Sequence, residues 1–467
     1  VPEALPGEMN AAAGTIAAIA TAAGPGAIGI VRISGPGARS VGARIFRPSG
    51  GKPFSALEPR RMQPGWIVGP AGELDRAQVC FYPEPGSYTG EDQLEIFTHG
   101  GPGIMGEVLK LAYAAGARPA APGEFTRRAV LAGKMDLFQA EAVAWLIDAE
   151  SPAEIEQAAR QLRGGPSEAL RRIRGRLIAL RAEVEISLDF EEYEERPLPY
   201  PALEAGLAGA AAELKELAAA AASGEQLRRG LRVVLAGSPN TGKSSLLNRI
   251  LGRERAIVSP QPGTTRDTLE EEMVLDGMRL RLIDTAGIRA RAEGVEAEGI
   301  RRAREEVRSA DLVVLVLDGS AALGSDDLEA CRQAGRGRLL IVANKADRRR
   351  RLENRAVVRE FPGARVLDVS AADGSGLERF REELAHSLRE LAGVGARALA
   401  VSRRRRVLLE ECAEAVARTH ALLREEPGAE LLALELGEAV DRMGKVLGEG
   451  HPGELLDEIF SRFCVGK

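Results

Sequence analysis

Cysteine is scarce. The 467 residues hold four, Cys80, Cys331, Cys412 and Cys464, far apart and forming no Cys-X-X-Cys pair. That excludes a disulfide framework and a cysteine zinc site, and it points to a reducing, cytoplasmic compartment. Histidine is equally rare, and His99, His386, His420 and His451 have no metal-ligand spacing. An excess of basic charge is missing too: the net charge is −5. Any nucleic-acid contact must therefore come from local patches, of which Arg348–Arg351 and Arg403–Arg406 are the obvious ones, and not from a global field. The uncharged stretch Met9–Val31 superficially resembles a membrane or signal segment. Acidic residues precede it (Glu3, Glu8), and Gly24, Pro25, Gly26 and Gly29 interrupt it, so it reads as a buried strand–loop–strand and no membrane role is expected.

What is present is globular in character, 45% apolar and 28% charged, with length for two to four domains. Residues 15–21 and 27–33 read as strands across a Gly/Pro loop. Short apolar runs at 65–68 and 77–82, a helix over 103–115 and a turn at Ala121-Pro-Gly-Glu124 opening another helix follow. This is a compact mixed α/β domain. From Asp136 to about Arg228, Ala, Leu, Glu and Arg dominate at three- and four-residue apolar spacing, through Leu146, Ile147, Ile155, Leu177, Ile178, Leu180, Val184, Ile186 and Leu188. The long helices break at Gly164-Gly165-Pro166 and again over Pro197–Pro201, and helical spacing returns over 400–463. Between lie alternating strands (231–236, 272–275, 279–283, 312–317, 339–343, 365–369) and helices (243–251, 295–309, 326–333, 376–391), the pattern of a mostly parallel sheet covered on both faces. The economical arrangement is a multidomain α/β plus α chain: 1–134, then a helical domain (135–228 and 393–467) split by an inserted α/β domain at 229–392.

The most informative stretch joins a β-branched strand ending at Ala236 to Gly237-Ser-Pro-Asn-Thr-Gly-Lys-Ser244 and a helix. This is the strand–loop–helix context of a phosphate-binding loop, in which glycines let successive N–H groups point at one anion and the helix start adds its dipole. Gly237, Asn240, Thr241, Gly242, Lys243, Ser244 and Ser245 are the candidate phosphate ligands. Lys243 would reach the β- and γ-phosphates and Ser244 would hold magnesium. Asp284-Thr-Ala-Gly287 follows the next long strand; the aspartate would orient magnesium through water and the Gly287 N–H would sense the γ-phosphate. Thr264 and Thr265 precede the second strand, and Thr265 is the candidate second magnesium ligand. Asn344-Lys345-Ala-Asp347 offers a carboxylate that accepts both N1–H and N2–H of guanine, a pairing adenine cannot make. Ser370-Ala371 would back up the base. Five such signals in order at strand ends specify GTP.

One expected group is absent. Ras-type switches place a glutamine directly after the Asp-X-X-Gly motif to orient the attacking water. Here that residue is Ile288, and no built-in arginine finger is evident. The following loop offers Arg289, Arg291, Glu293, Glu296 and Glu298 as polar groups that could take over. A monovalent cation beside Asn240 would supply the positive charge the transition state needs.

At this point the chain resembles the MnmE (TrmE) family of tRNA-modifying GTPases. The likeness extends beyond the central motifs to Thr89-Gly-Glu-Asp92, His99-Gly-Gly101, Pro122-Gly-Glu-Phe125, Lys134-Met-Asp-Leu-Phe-Gln-Ala-Glu141, Leu146-Ile-Asp148 and the terminal Phe463-Cys-Val-Gly-Lys467. The resemblance implies an N-terminal folate-binding domain that forms a homodimer, and a helical domain split by a Ras-like G domain. It also implies an FAD-dependent MnmG (GidA) partner in a heterotetramer, and a carboxymethylaminomethyl-type group installed on the wobble uridine of tRNA from a tetrahydrofolate one-carbon unit. Potassium and transient G-domain pairing would stimulate hydrolysis. Residue by residue, Asn240, Ser259, Gln261 and Thr264 match potassium positions. Glu296 matches the catalytic glutamate, which with Lys243 and Thr265 makes up the catalytic set. Arg32, Glu95, Lys134 and Lys467 match folate contacts, and His99 stands where it could face the same pocket. For Cys464 two readings stay open, one-carbon transfer beside the folate or anchoring of the C-terminus. An Era- or Der-like ribosome-assembly GTPase is the alternative; it would need a KH domain or a second G domain, and neither is evident.

Overall fold

The computed structural model describes residues 14–189, 198–252, 270–284, 301, 305–324, 327, 339–362, 365–392, 399, 401–449, 460–461, 463 and 465–466. The chain divides into two compact units, Val1–Ala144 with Ser167–Arg171 and Asp441–Lys467, and Trp145–Pro166 with Arg172–Val440.

The first unit is built on a seven-stranded sheet of β1 (Ile16–Ile19), β2 (Gly26–Ser34), β3 (Phe46–Pro48), β4 (Gln63–Gly69), β5 (Gly72–Tyr82), β6 (Gln93–Gly100) and β7 (Arg118–Pro119). The order is β3-β4-β5-β6-β2-β1-β7, antiparallel except for the β1–β7 pair. Alternation along the strands writes two faces. Val31, Ile33, Val79, Phe81, Leu94 and Ile96 are buried in one core with Val41 and Ile45 of α1 (Ala38–Ile45) and Met105, Val108 and Ala112 of α2 (Pro102–Ala114). The approach of α2 is close: a Cβ on Gly29 would lie 2.1 Å from Met105 Sδ. Residues of the other parity, Arg32, Cys80, Tyr82, Gln93 and Glu95, make the opposite face polar, with Arg32 and Cys80 flanking Glu95 in register. The Ala121–Glu124 turn opens α3 (Glu124–Leu131) at Gly123, whose φ of +65° suits glycine. The eight-residue α1, too short for a periodic signal, is an addition to the expected elements.

α4 (Leu137–Asp148), α5 (Pro152–Leu162), α6 (Gly165–Asp189) and α7 (Tyr200–Arg229) make up the expected helical stretch. α5 starts sharply because Ser151 Oγ accepts the Glu154 N–H at 3.3 Å and Pro152 fills the first turn. Of the periodic apolar positions, Leu177, Leu180 and Val184 form the buried stripe of α6, whereas Ile147, Ile155, Ile178 and Ile186 are exposed and Glu154, Gln157 and Gln161 of α5 are buried.

In the second unit a six-stranded sheet follows: β8 (Leu231–Ala236), β9 (Glu270–Leu275), β10 (Met278–Asp284), β11 (Leu312–Asp318), β12 (Leu339–Asn344) and β13 (Val366–Asp368), in the order β13-β12-β11-β8-β10-β9. All neighbours are parallel except β9 and β10. Continuous apolar strands give this sheet a core on each face, as a covered parallel sheet requires. α8 (Lys243–Leu251), α9 (Asn354–Glu360) and α10 (Leu377–Ala392) accompany it. α9 is a further unanticipated element. Of the helices expected at 295–309 and 326–333, residues 301, 305–309 and 327 are described, and these are helical. After the sheet the chain returns to α7: Leu399 N–H donates to Ala220 O at 2.8 Å, and a Cβ on Gly224 would lie 1.8 Å from Leu399 O. α11 (Arg403–Leu422) packs along α7, tied by Arg406 Nε to Glu225 at 2.6 Å, and α12 (Ala429–Leu447) follows. Among the described residues no helix is long and apolar enough to cross a membrane.

Candidate functional site

The carboxyl ends of parallel strands β8, β10, β11 and β12 deliver loops to one edge of the second sheet, where open α/β sheets bind ligands. Two glycines of the loop after β8 are required by space as well as by dihedral. Gly237 has φ +144° and a Cβ there would lie 2.2 Å from Val316 O; Gly242 has φ +91° and a Cβ there would lie 2.3 Å from Asn344 Nδ2. Asn240 occupies the left-handed region at φ +61°, on the exposed tip. Thr241 Oγ1 braces the turn by donating to Ser238 O at 3.0 Å. Lys243 begins α8, and its buried ammonium donates to Gly237 O at 2.9 Å and Ser238 O at 2.8 Å, so it is held inside the loop. Ser238 Oγ is buried without a hydrogen-bond partner, an orphan hydroxyl within the loop that a phosphate oxygen would satisfy. Sequence reasoning passed over Ser238, because only the folded loop turns it inward.

Ser244 Oγ lies 2.5 Å from Asp284 Oδ2 at the end of β10. A hydroxyl and a carboxylate this close, beside an anion cradle, suit magnesium, which takes oxygen ligands and keeps waters. Ser245 is exposed in the first turn of α8.

Asn344 is a clamp. Its side chain is almost wholly buried; Nδ2 donates to Thr241 O at 2.8 Å and Oδ1 accepts the Ala371 N–H at 3.0 Å. One side chain thus joins the phosphate loop to the Ser370–Ala371 loop. Ser370 Oγ donates to Asp347 Oδ1 at 2.7 Å, orienting the carboxylate. Lys345, at φ +65°, sends its ammonium to Asp318 Oδ2 at 2.6 Å. Burial alone would raise the Asp318 carboxyl; hydrogen bonds from Lys345 and Ser320 outweigh it and hold the group below the ordinary aspartate range. Asp318 belongs to none of the motifs identified in the sequence.

On the polar face of the first sheet, Arg32 Nε donates to Glu95 Oε1 at 3.0 Å and its Nη1 donates to Gly466 O at 3.3 Å. The guanidinium is flanked by the Tyr88 and Phe125 rings at 5.6 and 5.7 Å. Gln93 Nε2 donates to Glu95 at 3.2 Å, while its Oε1 is buried and unpartnered, an acceptor awaiting a donor. A hydrogen bond with Cys80 and burial push the Tyr82 phenol well above its usual range, so it is a permanent neutral donor. These groups suit a planar, donor-rich heterocycle. Of the four folate candidates, Arg32 meets both Glu95 and the C-terminal backbone. Lys134 binds Pro85 O at 2.8 Å instead and contacts neither. His99 is directed elsewhere: its exposed ring hydrogen-bonds Asp75 at 2.7 Å. Ser259, Gln261, Thr264, Thr265, Gly287, Glu296, Glu298, Cys464 and Lys467 lie outside the described residues.

Residues 15–134 match the family model of the GTP-binding protein TrmE N-terminus, and residues 137–464 match that of the MnmE helical domain. The chain is similar to the tRNA modification GTPase MnmE of Symbiobacterium thermophilum, 43% identical over 457 residues, which cover 97% of this chain and 99% of that protein. The protein of the same description from Geobacter sulfurreducens is 42% identical over 461 residues, again 97% and 99% of the two chains. That of Thermotoga maritima is 38% identical over 457 residues, 97% and 100% of the two.

Proposed function

We propose, from the premise that this chain belongs to the MnmE family of tRNA modification GTPases, a potassium-stimulated GTPase that works with a folate one-carbon unit on the wobble uridine of tRNA. The chain is a GTP hydrolase of tRNA modification. The finer reading adds an FAD-carrying MnmG-type partner in a heterotetramer, a homodimer through the N-terminal domain, transient pairing of G domains, a carboxymethylaminomethyl-type product and a cytoplasmic setting. The domains are taken as 1–134 for folate, 229–392 for GTP, and 135–228 with 393–467 as the split helical domain. The return of Leu399 to α7 and the packing of α11 on α7 support that split.

The observation that carries the GTP reading is the Asn344 bridge, which gathers the phosphate loop and the base loop into one site. Lys243 and the loop N–H groups bind the phosphates, Ser244 and Thr265 would hold magnesium with Asp284 orienting it through water, and Asp347, set by Ser370, selects guanine. Gly287 senses the γ-phosphate. A magnesium ion held there would supply charge neutralisation for the phosphates. With Ile288 unable to orient water, Glu296 does so, and Asn240, Ser259, Gln261 and Thr264 would hold potassium in place of an arginine finger. On the first sheet, Glu95 accepts from the amidine-like edge of the pterin, with Arg32 fixing that carboxylate, and Lys134 and Lys467 attract the glutamate tail. Cys464 is left as a group near the folate.

The test is GTP turnover at matched ionic strength in potassium and in sodium, with Glu296→Ala alongside. Faster turnover in potassium is expected, with Glu296→Ala slowed by ~10²–10⁴-fold while nucleotide binding persists. Equal rates in the two salts would end the cation reading. Wobble uridines that stay modified in cells lacking the protein would end the tRNA reading.

A further inference from the structure

We propose that the loop after Asp347 and helix α9 form a contact surface for the tRNA backbone, on which Arg349, Arg351, Arg355 and Arg359 bind phosphates. Between Asn344 and Glu360 stand seven cations and three acids, in a chain whose net charge is −5. The fold anchors this segment from beneath: Leu352 and Val357 are buried, and the Arg351 and Leu352 N–H groups both donate to Gly319 O, at 2.9 and 3.1 Å. With Val357 inward, Arg355 and Arg359, four residues apart, share the exposed side of α9. Two other arginines are braces. Arg350 is held by Asp368 and by Asn354, and Arg348 approaches Asp347 at 4.0 Å. Arg349, Arg351, Arg355 and Arg359 are exposed and meet no carboxylate among the described residues.

Four guanidiniums that meet no carboxylate among the described residues, carried on adjoining loop and helix, attract a polyanion. A guanidinium binds phosphate bidentately, which makes arginine well matched to a phosphodiester chain. Phe361, the aromatic residue of this stretch, is buried, so no base is stacked here and the contact positions the RNA without reading its sequence. The choice of RNA over another polyanion rests on the tRNA reading above. The ledge adjoins Lys345 and Asp347, so RNA bound there would lie beside the guanine loop.

Full-length chain and labelled tRNA would be titrated by fluorescence anisotropy across a salt series. The variants are R349S/R351S and R355S/R359S, with R308S/R379S as a control that removes two exposed charges from the same unit. Each ledge variant should bind several unrelated tRNAs more weakly, with a salt slope lower by about 2, because each of its two replaced arginines neutralises one phosphate. Affinity for a fluorescent GDP should remain within about 2-fold, showing that the fold and base loop are intact. Ledge variants that match wild type, or a control that falls equally, overturn the surface while leaving the tRNA reading in place. A wild-type chain with no tRNA binding at low salt overturns both.

Discussion

Asp318 decides where Lys345 goes. The ammonium ends on its carboxylate, so the four-carbon stem of Lys345 is stretched beside the base loop instead of trailing into solvent. Replacing Asp318 with Asn should weaken GDP and GTP equally by about 1.4- to 5-fold, since a partly exposed ion pair contributes about 0.2–1 kcal/mol. A loss confined to GTP would place the effect at the γ-phosphate and contradict this role. Asp347 acts on the base itself. Asp347→Asn should lower GTP affinity by ~10-fold or more, since hydrogen bonds to charged groups contribute about 1.5–3 kcal/mol, and should admit xanthine nucleotides, as competition binding would report. Unchanged guanine selectivity would sink the assignment. Motif residues such as Lys243 and Asp347 were legible because their spacing along the chain is itself the signal. Ser238 and Asp318 were not, because their roles arise from partners that only the folded loops supply.

At the scale of elements, periodicity located the helices and the buried stripe of α6, but not the phase of α5. α5 shows why: it docks on the β9–β10 turn, where Ala153 N–H donates to Gly277 O at 3.2 Å and Arg279 lies 3.3 Å from Glu150. That contact turns Ile155 outward and Glu154 inward. Glu154 Oε2 accepts the Glu150 N–H at 2.9 Å, whereas Oε1 is buried without a partner. Burial outweighs the helpful contacts and raises its pKa. The native state therefore holds a proton that the unfolded chain releases, in the window above the ordinary glutamate range. Stability from this group is greatest at low pH and falls as pH rises through its native pKa. Between pH 4.5 and 8 the unfolding midpoint of Glu154→Gln should change less than that of wild type. A steeper dependence in the variant would refute the assignment. The short α1 and α9 escaped detection for a different reason: eight and seven residues span barely two turns, too few for a period to register.

Across the whole molecule, the second sheet was legible as apolar runs and the first only in β1, β2, β4 and β5, not in β3, β6 or β7. Sequence could not show that the C-terminal backbone ends against β1 and β2, 434 residues away from Arg32 along the chain. That closure is steric as well as polar. Gly466 has φ +97°, and a Cβ there would lie 2.1 Å from Ile19 O, so only glycine lets the tail reach the Arg32 guanidinium. Gly466→Ala should displace the tail and weaken binding of a reduced folate such as leucovorin by ~10-fold or more, the loss of about one charge-assisted hydrogen bond. Deleting residues 464–467 should do at least as much. In neither case should GDP affinity change, because the described residues of the candidate nucleotide site lie in the other unit. Calorimetric titration of both variants with leucovorin and with GDP separates the outcomes. If leucovorin binds Gly466→Ala as it binds wild type, the tail does not frame the pterin pocket. If GDP affinity falls instead, the terminus acts on the nucleotide site and the two binding functions are not independent.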